Sequence, residues 1–580
     1  MALNKKVVVS GISLILVVGA VIGAVVAVVH YQKKPGSESL TAQQKMVTQI
    51  CNFTDYQQEC QKSLGPVSQN NNAKFKDYVK AALMSISEEA NKALNTSESL
   101  LVDAKNGTSA KRTLEECKDM LKEAVAEVQA VSSYVGDADM HTMEDRVMEL
   151  KAWIGSVISY STTCLDIIGE NDHNLYEALK DPIGNASANT DNALAIVGEI
   201  SNILGMFGVK VNDKALNGGG TQRRLLQNEL RSDGIPTWFS VSDRKLMGLQ
   251  DNGRLRPHVV VAKDGSGQYK SINDALKAYP YGQRGRYIIY VKAGVYNEYV
   301  YVDKKMINVY MYGDGPRSTV VSGSKSEAGT GDKISTSGTF QVFGPGFIGR
   351  SMGIINTAGP EARPAVALRT VGDQIAFFNC RISGYQDTLY MQSGRQFFRN
   401  CVISGHVDYI FGDARAYIQN SLIIVRKSTN PQQNQAFITA PGRQFKHEIG
   451  AIIIHNCRIV PEQKLVPTRF EVRTYLGRPW KPYSRAVVME STLADFIRPE
   501  GYSAWDGKAG NTQHAFFGEF KNRGPGANLA KRARWSGDGF YGEMNRATAV
   551  QFTAQPALLA DRWLKFANIP YLPGFISADA

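Results

Sequence analysis

Cysteine is scarce in this chain. Seven in 580 residues are too few and too widely spread for a disulfide-dense miniprotein. Proline is almost missing from residues 41–205, where only Pro66 and Pro182 occur, which leaves room for long helices. The eight histidines contain no H-x-x-x-H pair, and His447 and His455 alone make no metal site. Disorder is excluded by a composition of 43% hydrophobic and 21% charged residues, and the length asks for two to four domains. Acidic residues are in deficit only in the second half. Residues 251–580 carry 41 Lys/Arg against 25 Asp/Glu, a balance of +16, whereas residues 1–250 carry 25 against 29, a balance of −4. A basic half suits a polyanionic partner such as nucleic acid, acidic lipid or acidic polysaccharide.

Residues 7–29 form an apolar run, preceded by Lys5-Lys6 and followed by His30, Lys33 and Lys34. At helical rise it spans about 34 Å, enough for a bilayer core, and it exceeds the h-region of a cleaved signal. A signal anchor over 1–34 is therefore expected, with the rest of the chain entering the secretory route as a membrane-anchored precursor. Glycosylation acceptors at Asn52, Asn95, Asn106 and Asn185 fit that route, and none follows residue 190.

Apolar residues recur at helical spacing through residues 41–205. Leu114, Cys117, Leu121, Ala124, Val125 and Val128 make one stripe, and Met143, Val147, Leu150, Ile154, Val157, Ile158, Cys164 and Leu165 another. Helices near 74–95, 111–134, 142–168 and 174–205 predict an all-α four-helix bundle. Antiparallel neighbours would bring Cys117 to Cys164, and Cys51–Cys60 would close a local loop, although four cysteines allow three connectivities. Residues 206–256 read as a linker, with Arg223-Arg224-Leu225-Leu226 a processing site behind three glycines.

From residue 257 to 578 the texture is all-β. Seventeen of the 21 prolines lie beyond residue 250, and short β-branched runs such as Tyr287–Val291, Ile307–Tyr312 and Tyr417–Val425 alternate with turns. Phe378-Asn379-Cys380-Arg381-Ile382-Ser383-Gly384 recurs as Arg399-Asn400-Cys401-Val402-Ile403-Ser404-Gly405, with echoes at Asn420 and Asn456. A period near 20 with Asn at one position predicts coils of a parallel β-helix. Cys380 and Cys401 would then stack, either bridged or as two thiols, and Cys457 would be left over.

The repeat carries chemistry. Asp387 and Asp408 stand at equivalent places on successive coils, roughly 4.8 Å apart at one strand spacing. Two such close carboxylates ionise unequally, which supplies one acid and one nucleophile. Gln386 places an amide donor beside the first, and Leu476-Gly477-Arg478-Pro479-Trp480 adds a cation and an aromatic on a stiffened turn. Together they suit attack on the ester carbonyl of a sugar acid.

G-Y-Q-D-T-L-Y at 384–390, D-Y-I-F-G at 408–412 and L-G-R-P-W at 476–480 resemble the signatures of plant pectin methylesterases, and the stretches at 294–298 and 364–368 resemble two further motifs of that family. The four-cysteine part, 41–205, resembles the inhibitor-like pro-region of its longer members. The resemblance implies a right-handed parallel β-helix that hydrolyses C6 methyl esters of homogalacturonan in the cell wall. It implies Asp408 as nucleophile, Asp387 as proton donor and then base, Gln386 on the oxyanion, and Arg478 and Trp480 as substrate-site residues, Arg478 positioning the nucleophile and offsetting charge and Trp480 packing on a sugar ring. It also implies a pro-region that contacts the catalytic domain and cleavage by a subtilisin-like protease. No metal, organic cofactor or nucleic acid is implied. One position departs: the family usually carries Gln where this chain has Pro364, which removes a second oxyanion donor, with Gln374 a possible substitute. Two other readings are a β-helix lyase or polygalacturonase, and a weakly active or inactive pectin-binding homologue. Gly349–Gly353 matches G-x-S-x-G without a following helix, and the G-x-G-x-x-G matches at 344–349 and 537–542 open no βαβ unit, so neither a nucleophile elbow nor a dinucleotide site is expected.

Overall fold

The computed structural model describes residues 41–137, 146–169, 172–206, 256–282, 285–505 and 509–576. The apolar run at 7–29 and the segment Arg223–Leu226 lie outside them. Among the described residues no helix is long and apolar enough to cross a membrane.

The first part is helical: α1 (Ala42–Cys51), α2 (Gln57–Leu64), α3 (Phe75–Asp103), α4 (Ser109–Asp137), α5 (Val147–Gly169) and α6 (His173–Gly198). Thr41 and Gln44 close a capping box on α1, and the Asp172 carboxylate caps α6 by accepting from Asn174 N and Leu175 N. The four long helices form the expected bundle, α3 and α5 each packing between α4 and α6. Leu114, Leu121 and Val128 from one stripe and Leu150, Ile154 and Ile158 from the other meet in its core. Disulfides join Cys51 to Cys60 and Cys117 to Cys164, the second tying α4 to α5. Pro182 lies inside α6 without ending it.

Beyond Val259 all strand pairings are parallel, in three sheets of eleven, seven and eight strands among the described residues. We call them the back, site and flank sheets. A coil runs from the back sheet (Ile375–Phe378) to the flank sheet (Arg381–Ser383) and the site sheet (Leu389–Met391), and the next begins at Arg395–Arg399. Arg381 pairs with Val402 and Val402 with Leu422, the steps of the sequence repeat. The following step, Leu422 to Arg458, is wider because longer loops leave the coil there. This is a right-handed parallel β-helix, filled by ladders such as Ile382, Ile403, Ile423 and Ile459.

Each back-sheet strand in the middle of the helix ends on a left-handed residue. Ser351, Asn379, Asn400, Asn420 and Asn456 all have φ between 51° and 54°. Asparagine tolerates this region, and its side chain links coils: Asn379 Nδ2 donates to Ser351 Oγ at 3.0 Å and Asn456 Nδ2 to Asn420 Oδ1 at 2.9 Å. Two expectations change here. The run Tyr417–Val425 is two strands, Arg415–Gln419 and Leu422–Val425, because Asn420 turns the chain from back to flank sheet. Cys380 and Cys401 are not bridged; with Cys457 they are buried free thiols. Their Sγ atoms donate to backbone carbonyls instead, Cys380 to Phe378 O at 3.4 Å and Cys401 to Arg399 O at 3.3 Å.

Candidate active site

The two aspartates occupy the turn from flank to site sheet on adjacent coils, each two residues before strands that pair Leu389 with Ile410. Asp387 N donates to Val407 O at 3.0 Å, so the turns are stitched together as well. Both residues are left-handed, with φ of 58° and 49°, and both are buried, at 8% and 4% exposure. Left-handed, buried aspartates cost stability and persist only where surrounding structure holds them.

Arg478 follows the site-sheet strand Arg473–Gly477 and reaches back to Asp408. Its Nε donates to Oδ1 at 2.9 Å and its Nη2 to Oδ2 at 2.6 Å, a paired geometry that fixes the carboxylate's plane. The guanidinium is itself clamped between the Phe437 and Trp505 rings, 4.1 Å from each centroid. Gln386, half-buried beside Asp387, spends its side-chain amide on no hydrogen bond to another described residue. Trp480 meets Phe411 edge-on at 6.0 Å, and Phe411 stacks on Tyr390 at 4.5 Å. Val366, Tyr390, Phe411, Ala440, Trp480 and Trp505 thus make an aromatic platform beside the dyad.

Sequence reasoning placed aromatics around Asp408 but gave no site role to Tyr390, Phe411, Phe437 or Trp505. The first two carried a signal, since each lies three residues after its aspartate and they pair in register. Pro364 precedes the strand Leu368–Thr370, on the coil before Gln386, and its carbonyl accepts from Glu327 N at 2.9 Å. Gln374 does not stand in for it. It lies at the other end of that strand, in the turn from site to back sheet with φ of 58°, away from the dyad's corner. Ser351 of the G-x-S-x-G match belongs to the left-handed ladder.

The helical bundle sits on this face. Thr163 Oγ1 of α5 is 3.0 Å from Tyr390 OH, and Ser159 Oγ donates to Gln392 O at 2.9 Å. Phe343 and Val371 of the β-helix enter the bundle's own core. The charges are complementary: Glu127 and Glu123 hold Lys304 at 2.8 and 3.3 Å, Asp166 pairs with Lys481, and Ser335 Oγ donates to Glu116 Oε2 at 2.9 Å. Asp191 Oδ1 accepts from His447 N at 3.2 Å, and Asp55 lies 3.4 Å from the His447 ring. Burial raises the carboxyls of Glu116 and Glu127; burial and the nearby Glu448 push Asp191 up to about 7. Asn52, Asn95, Asn106 and Asn185 are all exposed.

Residues 258–561 match the family model described as pectinesterase, and residues 45–196 match that of plant invertase/pectin methylesterase inhibitor. Pectinesterase 4 of Arabidopsis thaliana is 39% identical over 98% of this chain and 99% of its own length. A probable pectinesterase/pectinesterase inhibitor of Brassica napus is 37% identical over 97% and 98%. Among solved structures, pectin methylesterase from carrot is 40% identical with a TM-score of 0.54, covering 56% of this chain and 99% of that one. The covered part corresponds to a β-helix alone, and the two full-length relatives extend over the bundle as well. On both counts the chain belongs to the pectinesterase family, with an inhibitor-type helical region ahead of the esterase domain.

Proposed function

We propose that this carboxylic ester hydrolase removes C6 methyl esters from homogalacturonan by way of Asp408 and Asp387. The observation that carries the assignment is the paired hydrogen bond from Arg478, which aims the Asp408 carboxylate and offsets its charge one coil away from Asp387. An Asp408 oxygen attacks the ester carbonyl carbon, and the Gln386 amide donates to the oxyanion that forms. The intermediate collapses, Asp387 gives its proton to the departing methoxide, and methanol leaves behind a mixed anhydride on Asp408. Asp387 then takes a proton from water, whose oxygen attacks the anhydride carbonyl. That step releases the galacturonic acid group, which gives water's remaining proton to solvent, regenerates the Asp408 carboxylate and leaves Asp387 protonated. Trp480, Phe411 and Tyr390 offer ring faces to the sugar chain. No step calls on a metal or cofactor.

The same reading covers the precursor. Residues 7–29 anchor it in secretory membranes, a subtilisin-like protease cuts at Arg223–Leu226, and the mature esterase works in the cell wall. Before cleavage, α5 lies over the aromatic platform and keeps the sugar chain off it. The test is methanol released from pectin together with product length, using chain cleaved in the linker. Methanol without shortening of the polymer is expected, with severe loss in Asp387→Asn. Shortening of the polymer would point to a lyase or glycosidase, and pectin binding without methanol to an inactive homologue.

A further inference from the structure

The outer face of the flank sheet carries a cleft of about 560 Å³, lined by Arg317, Arg381 and Arg426 over a floor that includes Val402 and Ile424. Its origin is the strand alternation. Ile382, Ile403 and Ile423 point into the β-helix, so Arg381, Val402, Ser404 and Ile424 face out, in register across Arg381–Ser383, Val402–Gly405 and Leu422–Val425. The partner of Arg381 on the preceding coil is Gly353. A Cβ at Gly353 would lie 2.5 Å from Pro316 O, so only glycine lets the turn at 313–318 settle on the sheet and bring Arg317 to Arg381. On the other wall Arg426 is fixed by donating to Gly384 O at 2.8 Å and by lying 3.9 Å over the Tyr385 ring.

Three guanidinium groups share this cleft with one carboxylate, Glu462, 3.8 Å from Arg426. The other oxygen of Glu462 accepts from Lys427 N at 3.0 Å. Arg317 and Arg381 form no ion pair among the described residues. Burial, and then the charges of Arg317 and Arg426, push the Arg381 pKa down. Three like charges gathered against a single carboxylate cost free energy that an anionic ligand would recover. No described residue of the bundle lines the cleft, and Tyr385 joins its wall to the turn that carries Gln386 and Asp387.

We propose that this cleft is a second polysaccharide site, specific for de-esterified homogalacturonan: the three arginines take its carboxylates while Val402 and Ile424 meet the apolar faces of the sugar rings. This rests on the esterase reading above, because each ester hydrolysed creates the charge that the cleft recognises. A methyl-esterified stretch lacks that charge and is not held. Product captured one turn away from the dyad keeps the enzyme on a chain it has begun to de-esterify.

The experiment uses the full chain with Arg317→Gln/Arg381→Gln, and the probe is a fully de-esterified oligogalacturonate titrated at low and moderate salt. Affinity is expected to fall about tenfold or more, since each lost charge-assisted hydrogen bond is worth roughly that factor. Binding of a fully methyl-esterified oligomer, and the initial rate of methanol release from highly esterified pectin by the same variant cleaved in the linker, are expected to stay unchanged. The charge-matched variant Lys531→Gln/Arg534→Gln, outside the cleft, is expected to bind as the unsubstituted chain does. Undiminished oligogalacturonate affinity in a double variant with unaltered melting would overturn the proposal, and so would an equal loss in the control, which would assign the binding to net charge. If the unsubstituted chain, cleaved in the linker and freed of the bundle, released no methanol while oligogalacturonate still bound at Arg317 and Arg381, the esterase reading would fail and the binding site would stand.

Discussion

The helical bundle and the β-helix are held together by different means. The bundle closes on two disulfides and a heptad-like set of apolar stripes, whereas the β-helix has no disulfide among its described residues and relies on repeated register, with three thiols left free in the core. Their charges are opposite too, −4 in the half that holds the bundle and +16 in the half that holds the β-helix. That difference explains how one can cover the other. The contact consists of partly buried carboxylates against Lys304, Lys481 and His447 around a small apolar patch, so its grip depends on salt and pH, while the dyad beneath is stacked by backbone register between adjacent coils.

The largest expected effect lies on the rigid side. Asp408→Ala should lower methanol release by roughly 10³-fold or more while leaving the β-helix folded, as loss of a nucleophile does elsewhere. Near-normal turnover would remove the β-helix's claim to be the catalytic region. Pro364→Gln comes next. It offers the oxyanion a second amide beside Gln386 and should raise kcat by up to about 10²-fold. An unchanged kcat in a well-folded variant would show that a group other than Gln374 already fills the place.

The cover is expected to respond more gently. Glu127→Lys/Asp166→Lys turns two attractions into repulsions at Lys304 and Lys481, and should raise the activity of uncleaved chain about tenfold if each partly buried pair contributes near the upper end for surface pairs. Activity of cleaved chain, measured after the bundle is separated, is the reference and should not change. For pH, the docked bundle holds the Asp191 proton more tightly than a free carboxyl does, since its pKa rises from 3.8 to about 7. Docking is then most favourable at low pH, weakens between about 4 and 7 by at most about tenfold per pH unit for one proton, and levels off above that. Glu116 and Glu127, also raised by burial, act in the same direction; the lowered pKa of His447 opposes it below 6.5. The ratio of uncleaved to cleaved activity should therefore climb with pH, and Asp191→Asn should flatten that climb. The smallest effect concerns Tyr409, fully buried with an OH that finds no partner among the described residues. Tyr409→Phe should stabilise the β-helix by about 1 kcal/mol in denaturant unfolding, because an unsatisfied buried hydroxyl is removed.

Much of the site was legible in advance because a parallel β-helix turns sequence separation into spatial register. A step of about 20 residues, marked by Asn379 and Asn400, was enough to stack Asp387 on Asp408, and helical spacing was enough to bring Cys117 to Cys164. Periodicity of this kind is local: each strand needs to know only its neighbour. What only the tertiary structure decided is non-local. Arg478 reaches Asp408 across a part of the helix where coil lengths no longer repeat, Gln374 falls at the wrong corner because turns are assigned by sheet and not by distance along the chain, and Gly353 admits the turn that delivers Arg317 to Arg381. The seat of α4 and α5 on Tyr390 and Lys304 belongs to the same class. It follows from two finished surfaces meeting in shape and charge, and neither surface exists until its own domain has folded.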